Sequence, residues 1–142
     1  NSVPQWQTRF NDGIWNSLEQ AIQSIGKSEK VYVVTGVAFS KVGENKSISY
    51  IKPASDTRSV PIPNYFYKLV LKVTTNSSGV VTSASTIGFW YENREYNDKF
   101  YNYTVSVDQS EAWTGFDFFC NLPDSVEVTA EANSSWSSFQ SF

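Results

Sequence analysis

The 142-residue sequence has no histidine, a single cysteine, and no apolar run near the roughly 18 residues that a membrane-spanning helix requires. Without histidine, Ser-His-Asp triads, imidazole zinc sites and imidazole general-base catalysis are all excluded from within these residues. Cys120 has no partner for an internal disulfide and reads as a buried small hydrophobe. No membrane partner is expected. Basic charge is also scarce: 11 Lys and Arg stand against 14 Asp and Glu, a net charge of −3. A domain that binds nucleic acid by itself usually carries a basic stripe. Contact with nucleic acid must therefore run through a metal ion, a small local cluster or residues outside this chain. The first residue is Asn and not Met, so the expectation is that something upstream has been removed.

Large apolar side chains are plentiful. Hydrophobic residues make up 40% and aromatic residues 16% of the chain, enough for one packed interior. The chain is read as a single domain over 1–142, of α+β class, with a mainly antiparallel sheet and flanking helices.

Along Phe10 to Ile25, the residues Trp15, Leu18, Ile22 and Ile25 fall on one face at helical period. Asn11 stands where an N-cap belongs and Gly26 where the helix stops. Val31 to Phe39 is β-branched and aromatic and reads as a largely buried strand. Lys41 to Arg58 is a polar excursion around a short strand at Ile48 to Ile51. Asn64 to Thr74 and Val80 to Tyr91 read as hairpin partners joined by the turn Asn76-Ser77-Ser78-Gly79. Glu92 to Tyr103 reads as a surface loop, and Val107 to Thr114 as a short helix stopped by Gly115. The Ser-rich tail beyond Glu131 is expected to dock loosely.

Chemistry centres on Asn11 and Glu19. They are two turns apart, roughly 12 Å along a helix axis, too far for both to grip one ion directly. One could ligate a hard cation while the other holds a coordinated water. On spacing alone the plainer reading is a helix cap at Asn11 and a solvated charge at Glu19. Lys68 reads as a solvated strand charge rather than a phosphate contact. Glu111 reads as a cap or a solvent-facing helix residue, and Asp117 as an organiser of the turn after Gly115. Trp90, Tyr91, Tyr96, Phe100, Tyr101 and Tyr103 read mostly as packing residues rather than a base-stacking surface.

The run Asn1, Pro4-Gln5, then Asn11-Asp12-Gly13-Ile14-Trp15-Asn16-Ser17-Leu18-Glu19 resembles the signature of the DNA/RNA non-specific endonucleases, which have the ββα-metal (His-Me finger) fold. Three later blocks are similar to the same family in order. They are Val31 to Gly36, Val60 to Lys68, and Ser106 to Asp124 with its Thr114-Gly115-Phe116-Asp117-Phe118-Phe119 run. The resemblance implies that Asn11 binds a single divalent cation, Mg²⁺ or another such as Mn²⁺. It further implies that Glu19 acts through water in that ion's shell and that Asn1 lines the same site. DNA and RNA are the implied substrates, with hydrolysis indifferent to base sequence, and the location is secreted or periplasmic.

The family's general base is a His in an Asp-Arg-Gly-His motif upstream of the metal Asn, and no His occurs here. The chain therefore matches the C-terminal part of such a nuclease domain. Its own N-terminal half is the expected partner, and the chain alone is expected to be inactive. The rival expectations are a secreted binding module without chemistry, and a degenerate nuclease that binds nucleic acid without turnover. Oligomeric state is not legible.

Overall fold

In the computed structural model, which describes residues 2–142, six strands follow one another in the chain. They are β1 (Val31–Ala38), β2 (Ser49–Ile51), β3 (Val60–Ile62), β4 (Tyr65–Thr75), β5 (Val81–Glu92) and β6 (Thr104–Val105). The helices are α1 (Asn16–Ile25), α2 (Val107–Thr114), α3 (Asp124–Glu131) and α4 (Trp136–Ser141). Strands β1, β4, β5 and β6 hydrogen-bond in the order β1-β4-β5-β6, every pair antiparallel, while β2 and β3 form a separate ribbon. The α+β class with an antiparallel sheet and flanking helices is thus the one expected. None of the described helices is long and apolar enough to cross a membrane.

The β4–β5 hairpin carries the fold. Its turn is fastened by Asn76, whose Oδ1 accepts the backbone N–H groups of Ser78 and Val80, each at 3.0 Å. Eight successive residues of β4, from Tyr65 to Lys72, are buried, because the strand has a neighbour on each side and helices over both faces. On one face Phe66 and Val70 join Ile87, Phe89 and Tyr91 of β5 against Phe10, Trp15, Leu18 and Ile22. On the other, Tyr65, Tyr67 and Leu69 pack with Trp90 and Val107. Each of these large side chains contributes roughly 1.5–3 kcal/mol by leaving water.

Several expectations are corrected. Strand β1 lies at an edge of the sheet with Tyr32 and Val33 exposed, so it is not largely buried. Its β-branched composition marks it as a strand but does not say which faces are covered. The tail is docked: Phe139 is fully buried, and Trp136 packs edge-on against Phe89 and Phe100. Trp136 meets the rings of Phe89 and Phe100, and Phe139 stacks on Trp136, while Phe142 stays exposed. Cys120 is exposed, since it stands in the connection between α2 and α3 and not on an element that packs. Strands β3 and β6 and helices α3 and α4 are not among the elements read from periodicity, because each is short. Pro61 also interrupts β3, and three acids interrupt Asp124–Glu131.

Helix α2 follows expectation closely. Ser106 accepts the Gln109 N–H at 3.0 Å as N-cap, and Gly115 closes the helix at φ 75°, a conformation that costs a residue without a β-carbon little.

Candidate active site

Asn11 is not the cap of a helix that begins at Phe10. The preceding segment, Gln7–Trp15, is helical only in part: Thr8 is extended, Arg9 is left-handed at φ 59°, and Gly13 departs from helical angles. Regular hydrogen bonding begins at Asn16. The Asp12 carboxylate fixes the bend by accepting the Arg9 N–H at 2.6 Å, and Arg9 Nη1 reaches Asn97 Oδ1 at 2.9 Å. Phe10 anchors the same bend, being fully buried against Trp15, Phe66, Tyr91 and Tyr96.

That bend turns Asn11 toward a cleft of about 550 Å³, lined also by Gln7, Trp15, Thr35, Gly36 and Phe66. The Asn11 backbone N–H donates to Trp6 O at 3.1 Å, and its Nδ2 donates to Gln7 Oε1 at 3.0 Å. Its Oδ1 accepts no hydrogen bond from the described residues, so the side-chain oxygen is available at the cleft.

Glu19 lies beside this cleft rather than in its lining. Its Oε1 is 3.5 Å from the ammonium of Lys68, which donates to Thr35 Oγ1 at 2.7 Å and stands 4.6 Å from the centre of the Trp15 ring. Burial pushes Lys68 below the usual lysine range, and the Glu19 carboxylate opposes that shift. The Lys68 side chain is 7% exposed against 43% for Glu19, so the solvated-charge reading of Lys68 is corrected. The signal was present: Phe66, Lys68 and Val70 alternate on one face of a strand that is hydrophobic on both. Trp15 and Thr35 therefore touch both the Asn11 cleft and the Glu19–Lys68 pair. Asn11 and Glu19 do not bond each other, as their spacing foretold, and Asn1 lies outside the described residues.

The groups at the cleft suit a hard divalent cation. They offer an uncommitted amide oxygen and a half-exposed carboxylate whose contact with Lys68 is long. Oxygen donors of this kind favour Mg²⁺ or Mn²⁺ over thiophilic metals.

Other residues take structural roles. Glu111 Oε1 accepts the Phe118 N–H at 2.8 Å, fastening the loop that follows Gly115. Trp90, Tyr91 and Tyr96 are buried, as their reading as packing residues required, whereas Tyr101 is exposed. Gly36 lies opposite Tyr67 in the β1–β4 register, and the Tyr67 ring crosses over it.

Similarity to known proteins points the same way. A nuclease of Nostoc sp. (strain PCC 7120) is 26% identical over 137 residues, a stretch covering 93% of this chain and 46% of that protein. A chain from the crystal structure of the EndoG/EndoGI complex matches with a TM-score of 0.72 at 22% identity, over 89% of this chain and 51% of its own length. The structural likeness is one of fold, and the chain spans about half the length of both relatives. The family model for DNA/RNA non-specific endonucleases matches residues 1–125, which include the bend at Asn11, Glu19, the whole sheet and α2. On that match, together with the fold, this chain belongs to the DNA/RNA non-specific endonuclease family.

Proposed function

We propose that the chain is the metal-binding part of a nuclease that hydrolyses DNA and RNA phosphodiester bonds without regard to base sequence. The observation that carries this reading is the Asn11 side-chain oxygen, without a partner among the described residues, at a cleft whose wall is shared with the Glu19–Lys68 pair. Asn11 would hold the cation, most simply Mg²⁺, with Mn²⁺ as a substitute, and Glu19 would act through water rather than by direct ligation. When bound, the ion supplies Lewis-acid polarisation of a phosphoryl oxygen and charge relief at the leaving oxygen.

The chain's own residues bind and orient. Gln7 fixes the Asn11 amide so that its oxygen faces outward. Lys68 limits where the Glu19 carboxylate points, and Thr35 holds Lys68 in turn. Trp15 and Phe66 form a dry wall on the sheet side of the cleft. Contact limited to phosphate oxygens accounts for indifference to sequence, because base edges carry the sequence information.

The family resemblance assigns the proton of the attacking water to a histidine, and none occurs in these 142 residues. We place that group in a companion segment of the same protein, in keeping with relatives about twice as long. The chain by itself then binds metal weakly and turns over little or nothing. A secreted or periplasmic nuclease is the setting this reading favours.

The test is plasmid nicking and RNA cleavage, with Mg²⁺ and with EDTA, by this chain and by the longest protein that contains it. Cutting by the longer protein alone, and only with metal, supports the proposal. An inert longer protein that still binds DNA in a salt-dependent way points instead to a nucleic-acid-binding module without chemistry.

A further inference from the structure

On the face of the sheet opposite Asn11, α2 and α3 bring three carboxylates together. Asp108 and Glu111 sit one turn apart on α2, and Glu131 is the last residue of α3. One carboxylate oxygen from each lies within 4.8 Å of the other two. α3 is held to this face by Thr86, whose hydroxyl donates to Ala130 O at 2.7 Å.

Glu131 is the residue that requires explanation. It is 5% exposed, and its Oε1 is shut off from water with no hydrogen-bond partner among the described residues. A buried carboxylate without a donor is costly, and proteins tolerate one only when it is paired, protonated or bound to a metal. Pairing is not available locally. The ion pairs of the described lysines and arginines go to Glu19, Glu29, Asp56 and Glu92, all elsewhere. Burial, then the nearby Glu111, Glu127, Asp108 and Asp117, push the Glu131 carboxyl up to about 7, so the surroundings add negative charge rather than relieve it.

The geometry suits a cation. Oxygens that share a Ca²⁺ ion at about 2.3–2.6 Å each can be no more than about 4.6–5.2 Å apart, and the three carboxylate oxygens, all within 4.8 Å of one another, meet that limit. Glu111 commits Oε1 to the Phe118 N–H, and its Oε2 has no hydrogen-bond partner among the described residues. Asp108 is exposed and gives an ion a way in, with water to complete its shell. Oxygen donors alone select a hard cation and not zinc or copper.

We propose that Asp108, Glu111 and Glu131 form a second divalent-cation site, best suited to Ca²⁺, which clamps α2 to α3 and is separate from the Asn11 centre. Its role is structural, so its readout is stability and not nuclease rate.

The test is the thermal midpoint of the 142-residue chain in EDTA and in millimolar Ca²⁺ or Mg²⁺ at neutral pH. Ca²⁺ should raise the midpoint by several degrees in a saturable way, and more than Mg²⁺ does. Asn11→Ala should keep the full shift. Asp108→Asn, at an exposed position that leaves folding intact, should lose most of it. Glu131→Gln should raise the midpoint in EDTA and abolish the response. The proposal is overturned if Ca²⁺ leaves the wild type unmoved, if Asp108→Asn responds like the wild type, or if Asn11→Ala removes the shift. It is equally overturned if lowering the pH raises the midpoint while Ca²⁺ does nothing, since a shared proton would then hold the cluster.

Discussion

Lys68 Nζ lies 3.5 Å from Glu19 Oε1, with the lysine buried under the Trp15 ring and the glutamate half in water. The asymmetry separates function from stability. Replacing a buried ion pair by apolar side chains is often neutral or stabilising, by about 1–4 kcal/mol, and removing one partner is costly because the other is left buried and uncompensated. Glu19 keeps its contact with water when Lys68 is gone. Lys68→Met is therefore expected to leave the thermal midpoint of the chain unchanged or raised, while it slows cutting by the complete nuclease. A midpoint lowered as far as by a core truncation would show that the pair holds the fold and does not serve the site.

The same lysine sets a sign for pH. Its folded value lies below the ordinary 10.5, so the unfolded chain binds more protons as pH approaches that value. Stability contributed by this group therefore rises as pH goes from neutral toward 10.5. Urea midpoints of the wild type minus those of Lys68→Met isolate the effect from the tyrosines. The difference should move in favour of the wild type with rising pH, and a flat or falling difference contradicts the assignment.

Gly36 faces a crowded neighbour. A β-carbon there would stand 2.3 Å from both Cζ and Oη of Tyr67, whose ring is stacked on Trp90. Gly36→Ala should destabilise by about 1–3 kcal/mol, as overpacking does. Adding Tyr67→Phe should not rescue it, because the ring carbon still collides. Tyr67→Ala in the same chain should make the glycine change nearly silent, so a double-mutant cycle in urea reads the coupling directly.

The tail is part of the core and not an appendage. Phe139 is fully buried, and Trp136 lies 5.7 Å from Phe89, centre to centre. Phe139→Ala is expected to cost about 3–5 kcal/mol, the usual range for a buried phenylalanine. A cost under about 0.5 kcal/mol, typical of surface positions, would mean that the tail is loosely attached.

Much of this could be read from the sequence, for identifiable reasons. Strands β4 and β5 announce themselves through β-branched runs around an Asn-Ser-Ser-Gly turn, and α2 through a Ser cap and a Gly stop. Asn11 and Glu19 were found as candidates, and their spacing already said that they do not touch. What stayed hidden depended on tertiary context. Periodicity ran the helix back to Phe10, because hydrophobic spacing is blind to a break in the backbone such as that at Gly13. A charged residue on a strand is solvated by default, so the burial of Lys68 emerges only when α1 covers that face. Glu111 and Glu131 are twenty residues apart in sequence, and only the packing of α2 and α3 on one face of the sheet makes them neighbours.

The most direct test of the account is the Asn11→Ala change in the longest protein that contains this chain. Among the described residues the Asn11 side chain bonds only to exposed Gln7 and caps no helix, so the change should cost under about 0.5 kcal/mol rather than the ~1 kcal/mol of a lost cap. The measurement is the Mg²⁺-dependent nicking rate beside the urea midpoint of the same sample. The account predicts that nicking is abolished while the midpoint stays within error of the wild type. Nicking that persists at the wild-type rate, or a loss that tracks a lowered midpoint, would contradict the assignment of Asn11 as the metal ligand.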